Sequence, residues 1–174
     1  IFSSKDSDKN LGYAGRIFGT KTFGKKNWKS TPSFEYQYID KQFRILDRIN
    51  DVEFSRDFNL AKEFSNKTQN RFIFNFNNKW NNKSTLNYRV NYLDERHSYQ
   101  GVKNDLDLSW IEKKFLTKGN FSYLNTNAIQ KDTKFIRGGA STEYTGKKGS
   151  WTVGGSMEHN EKYYNDTQLM DVTS

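Results

Sequence analysis

The chain has 174 residues, 33% of them hydrophobic and 16% aromatic, with a net charge of +8, one proline and no cysteine. That length holds one domain or a piece of a larger one, and the missing cysteines exclude disulfide scaffolds and thiolate metal sites. No run of about 18 apolar residues is present to make a transmembrane helix, and the basic balance suits an anionic partner such as nucleic acid, a lipid headgroup layer or an acidic ligand without choosing among them.

Apolar residues recur with period 2 over most of the chain, which predicts strands rather than helices. Eight strands are expected in chain order. In 11–23, Leu11, Tyr13, Ile17 and Phe23 share a face. In 28–39, Phe34, Tyr36 and Tyr38 alternate with Glu35 and Gln37. In 70–80, Phe72, Phe74 and Phe76 fall together, opposite Arg71. In 84–94, Leu86, Tyr88, Val90 and Tyr92 oppose Asn87, Arg89 and Asn91. In 102–112, Leu106, Leu108 and Trp110 oppose Asp105, Asp107 and Ser109. In 115–126, Phe121 and Tyr123 oppose Lys118, Asn120 and Ser122. In 132–145, Ile136, Ala140 and Tyr144 oppose Arg137, Ser141 and Glu143. In 149–160, Trp151, Val153 and Met157 oppose Thr152, Gly154 and Ser156. These runs are about twice the usual strand length of a globular sheet. Their close succession predicts an all-β, antiparallel up-and-down meander.

The connections add a second pattern. Four are short and lysine-rich: 24–27 (GKKN), 81–83 (NNK), 112–114 (EKK) and 146–149 (GKKG). The alternate links, 40–69, 95–101 and 127–131, are longer. Short turns at one end and longer loops at the other are the plan of a transmembrane β-barrel. Trp28, Trp80, Trp110 and Trp151 each lie within a few residues of a short turn, on the apolar face. Indole rings at one level suit a membrane–water interface, where the ring enters lipid and the N–H stays wet. Tyr38, Tyr92 and Tyr123 supply a second girdle, and Tyr144 joins Trp151 at the first. The polar faces then line a lumen with Arg71, Arg89, Asp105, Asp107, Lys118, Arg137 and Glu143. Alternation alone leaves open which face is wet. The alternative is a soluble antiparallel β-domain that buries its rings or uses exposed ones to bind an anionic or carbohydrate ligand.

Residues 40–69 (DKQFRILDRINDVEFSRDFNLAKEFSNKTQ) interleave charges with Phe43, Ile45, Leu46, Ile49, Val52, Phe54, Phe58 and Leu60. So many apolar residues predict a long structured extracellular loop rather than a disordered one. Phe43–Arg48 is expected to prolong the second strand, and Asp57–Phe64 to form a short helix. The stretch SFEYQYIDKQFRILDRINDVEFSRDFNL resembles large outer-membrane β-barrel proteins of the Bacteroidota, in which an aromatic strand runs into a loop with a VEF.RD core. Here that core is Val52, Glu53, Phe54, Arg56 and Asp57. The resemblance implies a transporter-like or secretion-associated barrel of the Gram-negative outer membrane, porin-like in architecture. It implies membrane lipid and lipopolysaccharide as partners, with other parts of a larger barrel or other outer-membrane proteins docking on Glu53, Phe54, Arg56 and Asp57. No plug domain or TonB box is visible. The chain starts mid-flow without a signal-peptide pattern, and 1–2 and 167–174 read as fragments of further strands, so a segment of a larger barrel is expected.

Other chemistry is weaker. GTKTFGKK at 19–26 approaches the phosphate-loop pattern but has Lys26 where the magnesium-binding hydroxyl belongs, and no helix follows. His97 and His159 lack a nucleophile at useful spacing. Asp105 and Asp107, about 7 Å apart on one face, are expected to pair with lumenal cations rather than to hold calcium. Rings and cations sit on opposite faces, which argues against nucleic acid. The expectation is a non-enzymatic protein with no cofactor and no metal, acting as a channel, translocation path or surface-complex scaffold.

Overall fold

The computed structural model describes residues 2–5, 11–43, 67–96, 98–129, 131–164 and 167–174. Eleven strands occur in chain order: β1 (Phe2–Lys5), β2 (Leu11–Thr20), β3 (Phe23–Lys25), β4 (Trp28–Ile39), β5 (Gln69–Trp80), β6 (Ser84–Glu95), β7 (Tyr99–Glu112), β8 (Phe115–Ala128), β9 (Lys131–Gly146), β10 (Gly149–Tyr164) and β11 (Thr167–Thr173). They form one antiparallel sheet in which sequence neighbours are spatial neighbours. β3 stands off the main path and pairs with β4 alone. Among the described residues β1 and β11 do not pair with each other, so the sheet is open. The all-β antiparallel meander expected from the alternation is therefore present.

Strands β4, β5 and β6 have 12 residues, β7 and β8 have 14, and β9 and β10 have 16. At about 3.3 Å per residue, even the shorter ones reach about 40 Å. Two details depart from expectation. The predicted strand over 11–23 is broken after Thr20. Its register resumes unchanged, Thr20 opposite Ser33 and Phe23 opposite Ser30. Between them Lys21 N–H donates to the Pro32 carbonyl at 3.1 Å, but Pro32 has no N–H to return. Second, the far-end links shrink because the flanking strands run on. Only 96–98 separate β6 from β7, and only 129–130 separate β8 from β9. The expected alternation of short turns with longer loops therefore reduces, within these hairpins, to 40–68 as the one long connection. The further strands expected at 1–2 and 167–174 are present as β1 and β11, which extend the sheet at both sides.

Within 40–68, Phe43 N–H donates to the Asp40 carbonyl at 3.0 Å, so the chain turns there instead of prolonging β4. The expected helix over 57–64, the remainder of the predicted strand extension, and Glu53, Phe54, Arg56 and Asp57 lie outside the described residues.

The tight turns have identifiable chemistry. Asn81 and Asn82 both have positive φ, 48° and 52°, and Lys83 N–H donates to the Trp80 carbonyl at 2.9 Å. Two left-handed residues in succession match the twist of a hairpin, and asparagine tolerates that region better than other non-glycine residues. Lys113 adopts φ 55° in the next turn without that advantage. At Gly24 a side chain would collide with the Trp28 carbonyl, so only glycine fits.

Directly opposed residues share a face of the sheet. One face holds Phe34 opposite Phe74, Tyr36 opposite Phe72, and Phe76 opposite Tyr88. The other holds Arg89 opposite Asp105 and Ser122 opposite Arg137. Shielding is concentrated on the second, polar face: Ile39, Ile73, Leu93, Tyr99, Leu124, Asn91, Glu95, Thr126 and Thr133 are all buried there. Leu93, Tyr99 and Leu124 form a small core with Ala128 and Phe135 against it, near the end away from the tight turns.

Candidate functional site

The aromatic face is exposed. Trp110 is 62% exposed, Trp151 50%, Trp28 41% and Trp80 38%, and Tyr36, Phe34, Phe72, Phe121, Leu108, Val153 and Met157 are also open. A sheet in water buries such rings on its core face. Here many of them lie open, while Arg89, Asp107, Lys118 and Arg137 of the polar face are exposed as well.

The register places all eight girdle residues on this face. Trp28 lies directly across from Trp80, Trp80 across from Ser84, and Ser84 across from Trp110. Trp151 stacks on Tyr144 at 5.7 Å between centroids, and Phe115 packs on both at 5.1 and 6.4 Å. That cluster lies one pair of residues nearer the turns than the row of the other three tryptophans. Tyr38, Tyr92 and Tyr123 lie toward the other end, where the same face turns polar with Asn70, Asp94, Gln100, Asn125, Lys134 and Glu161.

Between the two limits the face is a band. On β4 it runs from Trp28 to Tyr38. Ten residues at about 3.3 Å, tilted by about 40°, rise about 25 Å, the height of the apolar belt of outer-membrane barrels. Its upper limit is slanted: the last apolar residue is Tyr38 on β4, Phe72, Tyr92 and Val102 on β5 to β7, Tyr123 and Ile136 on β8 and β9, and Met157 on β10. Polar groups inside the band satisfy one another. The Tyr88 hydroxyl donates to Asn104 Oδ1 at 2.9 Å, and the Thr117 and Thr142 hydroxyls share a hydrogen bond of 3.2 Å. Asn78 is the exception: it is buried at 2% exposure with Nδ2 unpaired, among the rings near Trp80.

The polar face collects the seven lumen candidates. Arg71 lies across from Gln37 and donates toward Asn91 Oδ1 at 3.4 Å. Asp105 accepts a hydrogen bond from Ser122 and lies 3.7 Å from Lys103 Nζ. Arg89 faces Asp105 across the β6–β7 ladder, and Asp107 faces Asn87 and Asn120. Lys118 stands between Ser109 and Ser141, and Glu143 between Leu116 and Thr152. Arg137 binds Glu158 through Nε and an Nη, at 3.1 and 2.8 Å. Asn75, Asn77, Asn87, Arg89, Asp105, Asp107, Asn120 and Ser122 line an open depression of about 480 Å³. This chemistry can solvate a polar path. His159 is held by Thr173 at 2.8 Å and Glu161 at 2.9 Å, and the first contact ties β10 to β11. The Leu93–Tyr99–Leu124 core was not foreseen from sequence. Its signal was present: Ile73, Leu93, Leu124 and Phe135 break the alternation by standing on the polar parity.

No family model matches the chain, and neither any curated protein nor any solved structure matches it.

Proposed function

We propose that this chain is a segment of the wall of a transmembrane β-barrel in a Gram-negative outer membrane, serving a channel, a translocation path or a scaffold for a surface complex. The observation that carries the reading is the exposed aromatic band, about as tall as a bilayer core and flanked by tryptophan and tyrosine. Lipid against the band removes the cost of exposed rings, and the mixed-charge face meets water. The resemblance of the 33–60 region to Bacteroidota barrels supports the same assignment, with lipid, lipopolysaccharide and further barrel strands or outer-membrane proteins as partners. The two unpaired edges are where further strands would add. A long loop over 40–69 then belongs to the outer side and the tight turns to the periplasm. The reading requires no enzyme chemistry, cofactor or metal.

Detergent partition tests it. The chain is expected in the detergent phase after cloud-point separation, with heat-modifiable mobility on gels. A monomer that stays folded in detergent-free buffer would reject the membrane assignment.

A further inference from the structure

The positive charge is not spread evenly over the sheet. The tight-turn end carries paired lysines in three hairpins, at 25–26, 113–114 and 147–148. The pairs at 113–114 and 147–148 lie beyond the Phe115–Tyr144–Trp151 cluster, while Lys25 stands directly across from Trp28. The ion pairs Arg16–Glu35, Lys103–Asp105, Arg137–Glu158 and those of His159 lie away from these turns. The opposite rim mixes signs, with Asp40, Asp94, Glu95, Asp132 and Glu161 among its cations.

We infer that the tight-turn end is a binding collar for the phosphate headgroups of anionic lipids. The inference rests on the membrane reading and adds a lipid preference to it. The geometry suits a lipid better than a soluble polyanion. Lys114 Nζ lies 6.0 Å from the Tyr144 ring centre, so cation and girdle ring are adjacent. One amphiphile can therefore place its phosphate among the lysines and its acyl chain along the ring. Surface lysines near anionic lipid each contribute about 1 kcal/mol, about a fivefold partition preference.

The test uses vesicles of mixed phosphatidylcholine and phosphatidylglycerol, with bromine on the acyl chains of only one lipid at a time. Bromine quenches tryptophan it touches. At equal mole fraction, brominated phosphatidylglycerol is expected to quench at least about twofold more than brominated phosphatidylcholine. The excess should fall as salt rises, and in a variant carrying K113Q, K114Q, K147Q and K148Q. The salt series on the unchanged chain keeps the test valid if that variant does not fold. Equal quenching by both lipids overturns the collar and leaves the membrane reading standing. An undiminished excess in the variant that folds, or at high salt, also overturns it. Abolition of the excess by a short oligothymidylate at matched ionic strength would assign the collar to a soluble polyanion instead. Quenching by neither lipid rejects the membrane reading and the collar with it.

Discussion

Two adjacent residues on β7 separate the two faces. Leu106 lies opposite Tyr88 and Phe121 in the middle of the aromatic band, and Asp107 lies opposite Asn87 and Asn120 on the polar face. If lipid covers the band, Leu106→Arg should cost about 2–4 kcal/mol of folding free energy into vesicles, the value for a charge at mid-depth. Asp107→Arg should cost well under half of that, because its environment is already solvated. Equal costs would contradict the facial assignment. In the 81–83 turn, Asn82→Gly should leave stability unchanged or slightly raised, and Asn82→Val should lower it by about 1–2 kcal/mol, because φ 52° suits asparagine and glycine but not a β-branched residue. Urea titration in detergent reads both. The shared face and level of Trp28, Trp80 and Trp110 were legible in the sequence, because alternation fixes the face and the turns fix the level. Leu93 was not legible. Its neighbours Tyr92 and Asp94 set the parity, and only the folded sheet brings it to Tyr99 and Leu124.

The strands themselves were the most legible part. The limits of β4 agree with the alternation to the residue, and β5 and β6 differ by a residue at most at each end. The misses have local causes. Pro32 leaves a ladder donor missing opposite Lys21, a defect that period 2 does not register. Pro32→Val should supply that donor and merge β2 with β3, giving a slowly exchanging amide at position 32; rapid exchange there would show that another feature breaks the strand. The 95–101 and 127–131 links were overdrawn because polar residues at strand ends look like loop. Tyr99 to Gly101 and Asn125 to Ala128 remain in register with their neighbours. Those polar ends lie beyond the apolar band, where a strand can continue in water. The slanted upper limit of the band falls by about one residue per strand. In closed barrels a stagger of that size accompanies a tilt of about 36°, close to the range for membrane barrels.

At the scale of the whole molecule, the sheet presents an exposed apolar band, a cationic end and two edges that are unpaired among the described residues. The edges predict the hydrogen-exchange order. Amides of β6, β7 and β8, paired on both sides, should exchange slowest in detergent, and those of β11 fastest, since it is held on one side only. Protection of β11 equal to that of β7 would mean that another strand covers its free edge. The lysine-rich short turns were legible in the sequence, and the register sets those turns at one end of the sheet. The most direct measurement of the central claim is a nitroxide scan along β6, one label at a time from 86 to 92, in vesicles. Labels at 86, 88, 90 and 92 should be accessible to oxygen, which concentrates in lipid. Those at 87, 89 and 91 should be accessible to a water-soluble nickel chelate or shielded from both. The reverse alternation, or equal access of the nickel chelate to all seven positions, would contradict a lipid-facing aromatic band.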